Sequence, residues 1–243
     1  TVSGSTTVEP IAIACAEYLM NNIDGLDIQI SGTGSATGLA CVNEGTCDIG
    51  MSSSTYNWTA YPDLKVTVIA LDGIAIIVHP TNNLTQLTME QLKAIYNGTI
   101  NDWALVGSNA SGTINNVNRD TASGTRNFFW KTVMDQTAFE AGIPEMNSNG
   151  AVRTYVATNP DAIGYVGLGY VDITVKDILL SEDGIDYYEA NSSNILSGDY
   201  PIARSLFMMV KGDMSPLEWL FINFILSETG QDIVEAEGFV RLP

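Results

Sequence analysis

The hydrophobic positions in the first third of the chain follow two alternating spacings. Apolar side chains recur either at helical spacing or at every second residue, as on a half-buried strand. The two spacings predict helices over 9–22 and 35–45 and strands over 26–31, 47–53, 65–71 and 73–80. Strands that alternate with helices indicate an α/β fold with a largely parallel sheet.

The rest of the chain shows the same two spacings of hydrophobic residues, with more glycine, serine and asparagine between the predicted elements. It predicts a helix in 88–103 that ends near Gly98, helices over 215–229 and 231–237, and strands within 159–171 and 202–211. We expect two α/β lobes, each with a mixed, mostly parallel sheet flanked by helices. The first lobe is expected over 1–76 plus 203–243 and the second over 77–202, with hinge strands near 74–80 and 199–206.

Composition and charge exclude several classes of protein. Hydrophobic residues make up 45% of the 243 residues and charged residues only 16%, which is typical of a globular protein. The net charge is −18, from 28 acidic and 10 basic residues, and such a surface repels nucleic acid and anionic lipid headgroups. We therefore expect no nucleic-acid partner. The apolar run at 73–80 is far too short to span a membrane.

Cysteines and glycosylation motifs bear on the compartment. The chain has 3 cysteines, too few for a disulfide scaffold. Cys41 and Cys47 could pair if the helix between them ends at Gly45, and buried free thiols are an equal alternative. N-x-S/T acceptor sites suit an exported surface protein, and they occur at Asn57, Asn83, Asn97, Asn109 and Asn191. No export signal opens the chain, so we expect any such signal to lie outside it.

Hydroxyl-rich, glycine-softened segments precede several predicted helices. They are "SGSTTV" at 3–8, "GTGSATG" at 32–38 and the Ser123–Thr125 segment that follows Arg119. A helix entrance has unpaired N–H groups and the positive end of the helix dipole, so it is capped by a hydroxyl or binds an anion. Loops after parallel strands meet at one sheet edge. Separate N-caps and one shared oxyanion site both remain open at this point.

Other chemistries fit the sequence less well. The "GTGSATG" segment lacks the lysine of a phosphate-cradling nucleotide loop, and no serine lies in a G-x-S-x-G elbow. His79 is the only histidine and ends an apolar strand, so a Ser-His-Asp triad has no convincing base. No cluster has metal-ligand spacing. We expect no catalytic residue, no cofactor and no metal.

An ordered set of motifs resembles the phosphate-binding proteins of ABC phosphate importers. The set covers nearly the whole chain and comprises "SGSTTVEP", "SGTGSATG", "CDIGMSSS", "LTMEQLKAIYNGTINDW", "RDTASGTRNFF", "NPDAIGYVGLGYV", "YPIARSLF" and "FILSETGQDIVEAEGFVRLP". The resemblance implies a two-lobed periplasmic-binding-protein fold of type II with inorganic phosphate in the cleft between the lobes. It also implies a non-enzymatic, extracytoplasmic monomer that delivers phosphate to the importer's membrane subunits. We expect a membrane anchor in a segment outside this chain.

The resemblance also implies a set of phosphate-binding residues. Carried over by position, they are Thr6, Thr7 (through its backbone), Ser35, Ser53, Arg119, Ser123, Gly124 (through its N–H) and Thr125. Some members carry at the position of Ser53 an aspartate that accepts the proton of hydrogen phosphate and repels sulfate. A hydroxyl accepts a proton without repelling a dianion. Another tetrahedral oxyanion (sulfate, molybdate or tungstate) and a phosphate-ester hydrolase are the alternatives. Asp120 is expected to orient Arg119.

Overall fold

The structure, a computed structural model, describes residues 1–107 and 112–243, and the acceptor Asn109 lies outside this part. The strands are β1 Val2–Gly4, β2 Ile30–Gly32, β3 Ile49–Ser52, β4 Leu64–Val78, β5 Gln86–Thr88, β6 Asn115–Asn116, β7 Asn118–Arg119, β8 Glu145–Met146, β9 Ala162–Gly167, β10 Lys176–Asp177, β11 Leu179–Ser181 and β12 Ala203–Lys211. The helices are α1 Glu9–Asn22, α2 Ser35–Glu44, α3 Met89–Tyr96, α4 Gly124–Thr132, α5 Asn149–Thr158, α6 Ser192–Ser197, α7 Pro216–Leu226 and α8 Glu228–Ala236.

The chain divides into two compact units. Unit 1 comprises Thr1–Asp72, Thr121–Gly124 and Arg204–Pro243, and unit 2 comprises Gly73–Asp120 and Thr125–Ala203. Strand β4 therefore belongs to unit 1 up to Asp72 and to unit 2 from Gly73 onward.

Unit 1 is built on the strand order β2-β1-β3-β12, with β12 next to β4. Strand β1 runs parallel to both β2 and β3, while β12 runs antiparallel to β3. Helix α1 packs on β2, α7 and α8. Its buried face is apolar at helical spacing and consists of Ile11, Ala12, Cys15, Ala16 and Leu19. Burial of this face stabilises the helix in place.

Helix α2 lies unusually close to the sheet of unit 1 because glycines occupy the contact. A Cβ added to Gly38 of α2 would lie 2.7 Å from the Cα of Gly4 in β1 and 2.7 Å from the carbonyl oxygen of Met51 in β3. No other residue allows such an approach. The helix ends at Gly45, whose φ of 73° provides the left-handed C-cap. The first turn of α2 is thereby held at the ends of these strands.

Unit 2 is centred on β9, all six residues of which are buried. Strand β9 pairs antiparallel with Ile74–Val78 of β4 and parallel with β6, and α5 packs on it. Strand β10 pairs antiparallel with β4. Two small parallel pairs, β7 with β8 and β5 with β11, complete the sheets described in this unit.

Several element bounds differ from those that the sequence predicts. The segments 65–71 and 73–80 form one strand, β4, because the Asp72-Gly73 pair continues the strand instead of turning. The helix predicted to end near Gly98 ends at Tyr96, and the strand predicted over 26–31 begins only at Ile30 and ends at Gly32. Helix α5 was not predicted. The break between α7 and α8 lies at Ser227, whose hydroxyl caps the second helix.

Candidate oxyanion site

Two predicted hydroxyls meet in unit 1. Ser35 is the first residue of α2, and Ser53 directly follows β3. The backbone N–H of Ser53 donates to Ser35 Oγ at 3.0 Å, and the two Oγ atoms lie 3.3 Å apart. Both side chains are buried. The pair is therefore a compact donor–acceptor unit and not two separate helix caps.

Gly124 brings the entrance of α4 to this pair. A Cβ at position 124 would overlap Ser35 Oγ and lie 2.8 Å from Ser53 Oγ, so the position requires glycine. The segment just before Gly124 also contacts α2, because the backbone N–H of Ala36 donates to the carbonyl oxygen of Ala122 at 3.1 Å. Two helix entrances, those of α2 and α4, thus converge on the same buried hydroxyls. Helix entrances offer N–H groups and the positive end of the helix dipole to an anion.

The hydroxyl hydrogens of the Ser35–Ser53 pair have two possible arrangements. Ser35 Oγ already accepts from the Ser53 N–H and has one further lone pair. If the Ser53 hydroxyl donates to Ser35, then Ser35 offers a donor and Ser53 an acceptor to a ligand. If Ser35 donates to Ser53, then Ser53 offers a donor, and one lone pair on each oxygen still accepts. In both arrangements the pair offers one donor and at least one acceptor, so an oxyanion that carries a proton satisfies both.

The entrance of α1 is organised around the hydroxyl of Ser5. The hydroxyl of Ser5 accepts from the N–H of Thr7 at 3.1 Å and from that of Val8 at 3.4 Å, so Ser5 acts as the local cap. Thr6 and Thr7 are both buried. The amide of Thr7, to which the resemblance assigns a backbone contact with phosphate, already donates to Ser5.

A buried ion pair in unit 1 was missed by the sequence analysis. Arg204 donates from Nε and Nη2 to Asp72 Oδ2, at 2.9 and 2.7 Å, and the two side chains are 1% and 0% exposed. The same guanidinium donates to the carbonyl oxygen of Ser53 at 2.8 Å and to Thr7 Oγ1 at 3.3 Å. The signal available in the sequence was one carboxylate inside the apolar run of β4, since a buried charge requires a partner.

Arg119 of unit 2 is buried, and two backbone carbonyl oxygens accept hydrogen bonds from its guanidinium. Its Nε donates to the carbonyl oxygen of Met146 at 3.1 Å, and its Nη2 donates to that of Asn147 at 3.2 Å. These bonds orient the planar fork of donors that suits an oxyanion.

The backbone of Arg119 is fixed as well. Its N–H donates to Asn118 Oδ1 at 2.9 Å, and the Tyr165 hydroxyl donates to the same oxygen. Burial raises the pKa of the Tyr165 phenol well above its ordinary range, so this donor keeps its proton. Tyr165 stacks on Phe129 of α4, with ring centroids 4.2 Å apart. Unit 2 therefore presents Arg119 from a rigid, buried setting.

Comparison with known proteins assigns the chain to a family. Residues 1–229 match the model of the PBP superfamily domain. The phosphate-binding protein PstS of Bacillus subtilis is 34% identical, over 99% of this chain and 79% of that protein. PstS of Pseudomonas aeruginosa is 30% identical, over 99% and 82%. This chain belongs to the PstS family of the PBP superfamily.

Solved structures agree with this assignment. A substrate-binding protein from Clostridium perfringens, solved with bound phosphate, has a TM-score of 0.88 and 35% identity, covering 100% of this chain and 98% of that one. An ABC-type phosphate transport receptor from Vibrio cholerae has a TM-score of 0.80 and 31% identity, covering 100% and 99%. The family and the α/β fold predicted from the sequence are confirmed.

The remaining predicted residues of this family member are placed as follows. Ser123 and Thr125, on either side of Gly124, are buried. Asp120, expected to orient Arg119, has a buried Oδ1 without a hydrogen-bond partner in the described part of the chain, and its N–H donates to Met146. The guanidinium of Arg119 instead donates to the carbonyl oxygens of Met146 and Asn147.

The surroundings of His79 and the lengths of the helices bear on catalytic and membrane roles. His79 Nδ1 makes a 2.8 Å hydrogen bond with Thr81 Oγ1, in the turn after β4. Within residues 1–107 and 112–243, no group of three or more histidine, cysteine or acidic side chains could hold a metal ion. No helix in these ranges is both long and apolar enough to cross a membrane.

Proposed function

We propose that this protein binds inorganic phosphate and passes it to the membrane subunits of an ABC importer. The observation that carries the proposal is the convergence of the α2 and α4 entrances on the buried Ser35–Ser53 pair, with Gly124 against both hydroxyls. The bound phosphate of the C. perfringens relative, at 35% identity, supports the choice of ligand.

The proposed phosphate-binding residues are those that the family resemblance implies. They are Thr6, Thr7, Ser35, Ser53, Arg119, Ser123, Gly124 and Thr125. Arg119 supplies a charge-assisted fork, the α4 entrance supplies N–H groups, and the hydroxyls supply single donors. Because the Thr7 amide donates to Ser5, we propose that the hydroxyl of Thr7 contributes alongside its backbone.

The Ser35–Ser53 pair supports a preference for phosphate over sulfate. Near neutral pH phosphate carries a proton that sulfate lacks, and the arrangement in which Ser53 donates to Ser35 leaves an acceptor for that proton. The opposite arrangement also leaves an acceptor, and sulfate has no proton to donate to it. Phosphate is therefore favoured, and sulfate competes when it is in large excess.

We further propose an extracytoplasmic location with a membrane anchor outside this chain. The structure contains a disulfide between Cys41 and Cys47, one of the alternatives left open by the sequence, and disulfides persist in oxidising compartments. The location agrees with a family of substrate-binding receptors, and we propose that the protein acts as a monomeric receptor and not as an enzyme.

Calorimetric titration with phosphate, sulfate, molybdate and tungstate, run beside a phosphatase assay, tests the function. We expect saturable binding with phosphate tightest and no turnover of a phosphate ester. Tighter binding of another oxyanion would favour the alternative receptors, and turnover would favour the hydrolase. If none of the four anions binds, the receptor proposal is wrong.

A further inference from the structure

The buried Asp72–Arg204 pair contacts two residues of the proposed phosphate site. Arg204 Nη1 donates to the Ser53 carbonyl oxygen at 2.8 Å, and Nη2 donates to Thr7 Oγ1 at 3.3 Å as well as to Asp72. A buried ion pair adds little to stability compared with apolar side chains of the same volume, because both charges lose their hydration. Its placement here thus calls for a role beyond holding two strands together.

We infer that Arg204 is a positioning residue that sets the direction of the Ser53 and Thr7 hydroxyls, with Asp72 as its counter-charge. The inference rests on the proposed phosphate function. It assigns to Arg204 a part in selecting between protonated and unprotonated oxyanions without touching the ligand.

Ser53 is held at three points. Its N–H donates to Ser35 Oγ, its carbonyl oxygen accepts from Arg204, and its Oγ lies 3.3 Å from Ser35 Oγ. Because hydrogen bonds hold both the N–H and the carbonyl oxygen of Ser53, the direction of its Cα–Cβ bond is fixed. The donor–acceptor arrangement with Ser35 depends on that direction, so it depends on Arg204.

Thr7 is oriented by the same guanidinium. Guanidinium nitrogen only donates, so Thr7 Oγ1 must accept from Arg204 Nη2. The hydroxyl hydrogen of Thr7 is then directed away from Arg204. Arg204 thereby makes Thr7 a donor toward its other side, as an oxyanion requires.

The pair also lies where the chain passes between the two units. Asp72 is the last residue of the first segment of unit 1, and Arg204 is the first residue of its last segment. Through the Arg204 guanidinium, the ion pair links these two positions of unit 1 to the segments that carry Ser53 and Thr7.

Arg204→Lys tests the inference, because lysine retains the charge opposite Asp72 but cannot also reach the Ser53 carbonyl and Thr7. Should this variant not fold, the charge-neutral double variant Asp72→Asn, Arg204→Gln is measured by the same criteria. Gln231→Met is the matched control. Gln231 is buried in unit 1 and bonds the carbonyl oxygens of Ile69 and Ile225, away from the proposed ligand residues.

Phosphate and sulfate affinities are measured by calorimetry and stability by thermal unfolding. We expect Arg204→Lys to weaken phosphate binding by about tenfold and to lower the phosphate-to-sulfate affinity ratio. Gln231→Met should lower the melting temperature and leave both binding quantities unchanged.

The inference is overturned if the folded Arg204 variant keeps the parent's affinity and ratio, or if Gln231→Met shifts both equally. Failure of the parent itself to bind any oxyanion is a different result. It would remove the proposed function first, and the role of Arg204 with it.

Discussion

Replacing Arg119 with alanine is the most direct test of the proposed phosphate site. The side chain is buried, and its fork is oriented by the carbonyl oxygens of Met146 and Asn147, at 3.1 and 3.2 Å. Truncation therefore removes charge-assisted bonds to a desolvated dianion, and we expect a loss of about 2–5 kcal/mol of binding free energy. This corresponds to a Kd increase of roughly 30- to 5,000-fold.

The assay is calorimetric titration of phosphate into protein freed of bound anion. Truncation also removes the donors to two carbonyl oxygens, which costs about 1–3 kcal/mol of stability for each group left unsatisfied. Thermal unfolding of each variant separates this effect from lost affinity. Arg119→Lys keeps the charge without the fork, so its affinity should fall between those of the parent and Arg119→Ala.

Arg153→Ala is the matched control for Arg119→Ala. It makes the same charge change in the same unit, where Arg153 pairs with Asp172 at 2.9 Å with a side chain that is 34% exposed. We expect its phosphate affinity to equal the parent's. Undiminished binding by Arg119→Ala, or an equal loss in Arg153→Ala, would refute the assignment of Arg119.

Further predictions concern the hydroxyls and the cysteines. Ser35→Ala and Thr125→Ala each remove one neutral donor, so calorimetry should show losses of roughly 1–3 kcal/mol, smaller than for Arg119→Ala, and a larger loss would contradict this ranking. Ser53→Asp adds a charge that repels sulfate, so sulfate should compete less for phosphate in the variant; unchanged competition would argue against Ser53 as a ligand. Burial raises the pKa of the Cys15 thiol to about 12, so a thiol reagent at about pH 8 should label no cysteine in the folded protein. It should label one after unfolding and all 3 after reduction, and labelling of the folded protein would contradict the buried thiol.

The sequence predicted most of unit 1 because its signals are local. Helix α1 shows apolar spacing, and α2 ends at a glycine with positive φ, so both bounds follow from short-range chemistry. Ser35 lies in a hydroxyl-rich segment before a predicted helix, and Ser53 was named through the family resemblance. Their meeting is a consequence of topology, since β1 lies parallel to its neighbours and the strand ends share an edge.

What the sequence could not supply depends on contacts between distant residues. Asp72 followed by glycine is a turn signal, and the turn is overruled because Asp72 pairs with Arg204, 132 residues along the chain. The carbonyl oxygens that orient Arg119 carry no side-chain signature at all. The role of Ser5 as a cap also depends on geometry, because three adjacent hydroxyls in the segment were equally able to cap.

The serine at position 53 sets a limit on how strongly this protein can discriminate. Sulfate has no proton for the acceptor of the Ser35–Ser53 pair, and the missing bond costs about one net hydrogen bond, about 0.5–1.5 kcal/mol. From this pair alone, discrimination between phosphate and sulfate should be about 2- to 10-fold. A carboxylate would oppose a dianion by several kcal/mol. A measured ratio far above tenfold would therefore mean that a charge enforces the choice, and Asp120, whose buried Oδ1 has no hydrogen-bond partner in the described ranges, would be the residue to replace with asparagine. A ratio near tenfold instead fits selection by hydroxyl direction, which in a chain of net charge −18 avoids burying one more carboxylate beside a dianion.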